Sequence, residues 1–106
     1  MSQSSLQIFI EYKVKEAEIE KYEGLMKEVL KKLTEFSAEK IEWFVATDQP
    51  FLYVEMFQVP TLAHYQALKK LRKSTDHTVF GQLDQFIEGG LEKLNCWAFQ
   101  TQKVQD

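Results

Sequence analysis

A strand that packs on one side alternates apolar and polar residues. The strand-like segments of this chain go further and place large apolar side chains on both of their faces. From Leu6 to Val14 the sequence LQIFIEYKV has period two, with Leu6, Ile8, Ile10, Tyr12 and Val14 on one face and Gln7, Phe9, Glu11 and Lys13 on the other. IEWFVAT (Ile41 to Thr47) and FLYVEMFQV (Phe51 to Val59) follow, separated by Asp48-Gln49-Pro50, turn chemistry of hairpin length, so the two are expected to pair antiparallel. A last strand is expected from Leu94 to Thr101.

The intervening segments have the helical period. From Glu16 to Phe36 the apolar residues Ile19, Tyr22, Leu25, Met26, Val29, Leu30, Leu33 and Phe36 recur at three and four, with acidic residues at the start and lysines near the end, as the helix dipole favours. Pro60 and Thr61 open a shorter helix carrying Leu62, Tyr65, Leu68 and Leu71. Ser74-Thr75-Asp76 interrupts it, and Phe80, Leu83, Phe86, Ile87 and Leu91 predict a further helix ending around Gly89-Gly90.

The order strand, helix, strand, strand, helical pair, strand, with right-handed crossovers, leads to one α+β domain over residues 1–106. Its expected form is a ferredoxin-like βαββαβ unit with a four-stranded antiparallel sheet and its helices on one face. The polar tail from Gln102 to Asp106 extends the last strand or frays. With Leu6, Ile8, Ile10, Leu52, Val54, Met56, Cys96 and Ala98 turned to the helices, the far face receives Phe9, Phe44, Phe51, Tyr53, Phe57, Trp97 and Phe99. At about 25 cal/mol per Å2, and about 150 Å2 or more per aromatic, leaving these in water forgoes several kcal/mol. The simplest cover is the same face of a second copy, an isologous contact about a two-fold axis, so the expected partner is the protein itself. A register slip of one residue in a strand would instead send those aromatics into the monomer core. Glu11 and Glu55 fall on the aromatic face, where they are expected at the interface rim, the alternatives being a pair with Lys13 or a polar pocket within the dimer.

Charge and cysteine content narrow the function. The formal net charge is −3, and Arg72 is the one arginine among 13 basic residues, which leaves no electropositive surface for nucleic acid. Cys96 is the only cysteine, so no intrachain disulfide and no cysteine metal site can form, and a reducing, cytoplasmic setting is expected. The polar start Met1-Ser2-Gln3-Ser4-Ser5 lacks the pattern of a secretory leader, and no apolar run of about 18 residues offers a membrane span.

Element order, length, the aromatic second sheet face and the short second helix together resemble the dimeric α/β-barrel superfamily. That group includes antibiotic-biosynthesis monooxygenases, haem-degrading monooxygenases and NIPSNAP-like proteins. The resemblance spans nearly the whole chain and is one of architecture. It implies a homodimer holding a small, mostly apolar organic ligand between helices and sheet, with monooxygenase-like chemistry, or a non-catalytic binding or structural dimer. In haem-degrading members a histidine in about the place of His77 ligates the iron, which keeps haem as a candidate cofactor; no other cofactor is expected. Those members also resemble one another in an asparagine on the first strand and a tryptophan on the second helix. Here the corresponding stretches read Glu11-Tyr12-Lys13 and His64-Tyr65-Gln66-Ala67, with neither residue present.

His77 is the candidate catalytic residue, because it follows Ser74-Thr75-Asp76 at an expected helix N-terminus, where the dipole favours a neutral imidazole. A capping or loop histidine is the plainer alternative. Tyr65, Tyr12 and His64 are candidate ligand-binding residues, although by spacing the tyrosines fit a core and His64 lies off the apolar stripe. His64 and His77 are too far apart for HExxH, and no carboxylate cluster completes a metal site. No GxSxG elbow occurs. Aromatics on strands one and three also resemble the stacking platform of an RNA-recognition motif, but Gln49-Pro50 replaces its basic residue and glycine, and Glu11 and Glu55 would face phosphates.

Overall fold

The structure, a computed structural model, describes residues 5–102. Strand β1 (Leu6–Lys13) leads through one 3-10 turn, Glu16–Glu18, into helix α1 (Ile19–Thr34). Strands β2 (Glu39–Val45) and β3 (Leu52–Val59) form a hairpin, and α2 (Leu62–Arg72) follows. Two 3-10 segments, Phe80–Gln85 and Leu91–Lys93, precede β4 (Asn95–Phe99). The strands make one antiparallel sheet in the order β2-β3-β1-β4, so β1 and β3 are central and β2 and β4 are edges. Residues 1–4, and 103–106 of the polar tail, lie outside the described residues.

Both helices lie on the face of the sheet that β1 turns inward. The Leu6, Ile8, Ile10 and Tyr12 side chains are buried there beneath Tyr22, Met26, Val29 and Leu33 of α1 and Leu68 of α2. Thr61 caps α2, its hydroxyl accepting from the His64 amide at 3.2 Å, which ties the helix start to the end of β3.

The expected phase of β3 is corrected by one residue. Ile8 pairs with Phe57, Ile10 with Glu55 and Tyr12 with Tyr53, and residues opposite one another in a ladder share a face. Tyr53, Glu55, Phe57 and Val59 therefore face the helices and are buried, while Leu52, Val54 and Met56 face away, half-buried. Each alternating set of β3 is apolar apart from one polar residue, Glu55 in one and Gln58 in the other, so periodicity alone could not choose between them. The larger set fills the core, and the carboxylate goes inside because Arg72 meets it there. Phe51, at φ 66, belongs to the hairpin turn and not to the strand.

The second difference lies after α2. Phe80, Leu83, Phe86, Ile87 and Leu91 are all buried as their spacing requires, but the backbone winds as 3-10 turns and not as one α-helix. Spacing of three suits a 3-10 helix as well as an α-helix. Gly81 packs so closely on the Thr75 carbonyl that a Cβ could not be accommodated, and Asp84 accepts the Leu91 amide at 2.9 Å, folding the segment on itself. Ile87 then bridges Val14 at the end of β1.

Helix α1 closes with the Ser37 amide on the Thr34 carbonyl (3.3 Å) and the Ala38 amide on the Leu33 carbonyl (3.2 Å), the paired bonds of a Schellman turn, with Ser37 in the left-handed region at φ 68. Glycine occupies that conformation without the Cβ penalty, so Ser37→Gly is expected to stabilise the fold by about 0.5–1 kcal/mol, read as a raised urea midpoint. An unchanged or lowered midpoint would mean that the turn is not strained.

Candidate functional site

The most unusual chemistry lies inside the sheet–helix core. Glu55 on β3 and Arg72 at the end of α2 are both fully buried and form a two-pronged ion pair, Nη1 to Oε1 at 2.6 Å and Nη2 to Oε2 at 2.8 Å. Tyr12 donates its phenol proton to Glu55 Oε2 at 2.5 Å. Since that proton is committed, Tyr22 is the donor in the 2.7 Å bond between the two phenols, and the Trp43 indole N–H donates to Tyr22 at 2.9 Å. A single directed chain thus runs from the half-buried Trp43 to a carboxylate in the dry core, where Arg72 also lies over the Phe80 ring, 5.0 Å from its centroid. Arg72 Nε has no partner among the described residues.

Burial is the main cause of raised tyrosine pKa values. Tyr12 is held well above 10 by desolvation, with the Glu55 charge adding to it, and Tyr22 is also pushed far up by desolvation. Desolvation and the Glu23 carboxylate together raise Tyr53 to about 12. For Arg72, burial opposes the charge, but Glu55 outweighs it and the guanidinium stays protonated. Burial raises the Cys96 thiol to about 11, which leaves it protonated at neutral pH.

These phenols set a pH limit. An unfolded tyrosine loses its proton near pH 10 while the folded ones keep theirs, so above pH 10 the unfolded state binds fewer protons and stability falls as pH rises. Stability is therefore expected to be unaffected by these groups below about pH 10, then to drop by about 1.4 kcal/mol per pH unit for each of Tyr12 and Tyr22. Melting curves at stepped pH, followed by 295 nm absorbance and circular dichroism, check this. Ionisation of Tyr12 and Tyr22 in the still-folded protein would overturn it.

The residues singled out from sequence do not converge. Tyr12 is buried as the centre of the chain just described. Tyr65 is half-buried and donates to the Cys96 carbonyl at 3.2 Å, and His64 Nδ1 lies 2.7 Å from the Thr61 hydroxyl at the α2 cap. His77 sits in the loop after α2 and not at an α-helix N-terminus. Its Nδ1 accepts the amides of Val79 and Phe80, both at 3.1 Å, and its ring stacks on Phe80 at 4.5 Å. An Nδ1 that accepts two N–H bonds leaves the proton of a neutral ring on Nε2, so His77 as placed does not fit an axial ligand to haem iron. Added haem is accordingly expected to give the same Soret spectrum with wild type and His77→Ala. A spectral shift lost in the variant would refute this placement. Among the described residues no group of three or more His, Cys, Asp or Glu could hold a metal ion, and no helix is long and apolar enough to cross a membrane.

The far face of the sheet is apolar, with a membership that differs from the expected one. Phe9, Phe44, Trp97 and Phe99 remain there, joined by Leu52, Val54 and Met56 in place of Phe51, Tyr53 and Phe57. Phe9 packs at 5.5 Å against Trp97 and 6.5 Å against Phe99, and Phe44, Trp97 and Phe99 are 44%, 44% and 53% exposed. Glu11 stays on this face, accepting from Asn95 at 3.3 Å, whereas Glu55 is moved from the expected rim to the core.

On the helix side, at the β2 edge, a cleft of about 260 Å3 is lined by Glu23, Trp43, Phe44, Val45 and Tyr53. Sequence reasoning missed Glu23 and Arg72 and put Glu55 on the wrong face of the sheet. One signal for Arg72 was available: it lies four residues after Leu68 and so continues the buried stripe of α2, where the sole arginine of the chain stands out. Comparison with family models, curated proteins and solved structures found no match for this chain.

Proposed function

We propose that this protein is a homodimer that binds a small organic ligand and does not transform it. The observation that carries the dimer is the uncovered face made by Phe9, Phe44, Leu52, Val54, Met56, Trp97 and Phe99. Four strands about 4.8 Å apart and five to eight residues long cover roughly 400 Å2. Two copies face to face bring together about 800 Å2 of flat area, and side-chain relief raises this toward the ~1,200 Å2 at which specific interfaces begin. The succession strand, helix, strand, strand, helix, strand and the central place of β1 and β3 support a ferredoxin-like unit, and its sheet-to-sheet pairing is the arrangement of a dimeric α/β barrel.

Binding without reaction is favoured over a monooxygenase-like step by the hydrogen bonding. The protons of Tyr12, Tyr22 and Trp43 are all committed along one chain, and His77 Nδ1 is committed to backbone. The phenols and the indole have no proton free to give, and His77 Nδ1 has no lone pair free to accept one. The ligand is placed on the helix side, and the cytoplasm is the proposed compartment, supported by the buried, unpaired Cys96. Sedimentation equilibrium at micromolar concentration should return twice the 12.5 kDa of one chain. A single species of 12.5 kDa would overturn the dimer.

A further inference from the structure

The cleft beside β2 has a one-sided chemistry. The Trp43 and Tyr53 rings stack at 6.0 Å and 23°, with Tyr22 packed edge-on behind both at 6.0 and 4.6 Å. Their polar hydrogens are already used: the Trp43 N–H donates to Tyr22, and the Tyr53 hydroxyl donates to Glu23 Oε2 at 2.7 Å. Glu23 itself is exposed and, among the described residues, has no lysine or arginine within ion-pair distance. What the side chains of Glu23, Trp43, Val45 and Tyr53 present to an occupant is therefore aromatic surface, an apolar wall and an uncompensated carboxylate, with no side-chain donor left over.

An anion finds nothing here to bind it. A neutral hydroxyl or amide compound gains one acceptor at most. A cation with apolar substituents gains the carboxylate charge, the exposed part of the Trp43 ring and the burial of its methyl or methylene groups together. We infer that this cleft is a binding site for a small organic ammonium ion, with Glu23 as its counter-ion and the half-buried Trp43 ring as its aromatic wall. The volume of about 260 Å3 is enough for a small alkyl- or aryl-ammonium. The net charge of −3 draws cations toward the protein. The inference rests on the reading of this protein as a small-ligand binder and names the ligand class and the place.

Isothermal titration calorimetry of the whole protein tests it with two probes of the same shape, choline and its uncharged isostere 3,3-dimethylbutan-1-ol. Choline is expected to bind at least tenfold more tightly than the alcohol. Glu23→Gln, an exposed change that leaves the core intact, is expected to remove most of that difference. Loss of the Trp43 indole N–H chemical-shift response in the variant locates the effect in the cleft. Equal binding of both probes, unaffected by Glu23→Gln, would overturn the cation inference while the small-ligand reading stands. Binding of neither probe up to tens of millimolar would overturn both.

Discussion

Replacing Arg72 with methionine is expected to destabilise the protein by about 3–5 kcal/mol, the largest effect of any single change outside the apolar core. The variant leaves Glu55 fully buried with its charge uncompensated, still accepting from Tyr12 but stripped of both guanidinium bonds. For a domain of this size the loss corresponds to a fall in Tm of roughly 15 °C or more. The double variant Glu55→Leu/Arg72→Met should recover most of it, since well-packed apolar residues in place of a buried ion pair are often neutral or better. Thermal unfolding at one fixed protein concentration measures the whole cycle, because the stability of a dimer depends on concentration. If Arg72→Met costs less than about 1 kcal/mol, the ion pair is not dry.

Glutamate at Trp97 is the second large change, and it should act on association and not on folding. Trp97 lies on the far face, 44% exposed, against Phe9. A carboxylate there is wet in one copy but desolvated in a closed pair, which should weaken dimerisation by at least a thousandfold and leave a folded 12.5 kDa monomer. Phe57→Glu gives the contrast. Its side chain is fully buried against the helices, so the same charge there should abolish folding altogether. Sedimentation and circular dichroism on the two variants separate the sheet faces. A Trp97→Glu protein that still dimerises at micromolar concentration would show that this face is not the interface.

How much could be read from the chain follows from these particulars. In α1 the apolar positions recur at three and four while lysines and glutamates fill the rest, so element, face and end were all legible. In β3 they were not. Six of its eight residues are apolar and would tolerate either face, and the strand gives no local reason to bury Glu55. The outcome was decided 17 residues away in sequence, where α2 brings Arg72 over the carboxylate. The segment after α2 was half legible: its buried residues were evident, but spacing of three cannot distinguish a 3-10 helix from an α-helix, and the close packing of Gly81 on Thr75 is a contact with no sequence signature.

The candidate sites divide in the same way. That a second apolar sheet face exists was determined by the sequence, because strands rich in large apolar residues at successive positions must show some of them on each side. Which residues occupy that face was decided only by the tertiary structure, through the pairing of Ile8 with Phe57 and Ile10 with Glu55. The hydrogen-bonded chain from Trp43 to Arg72 and the carboxylate of Glu23 beside two rings join α1, β1, β2, β3 and α2, segments far apart in sequence. Period and composition act along the chain and specify elements and their apolar faces. Charge pairing and close packing act across it, and they alone chose the register of β3 and with it the lining of both faces.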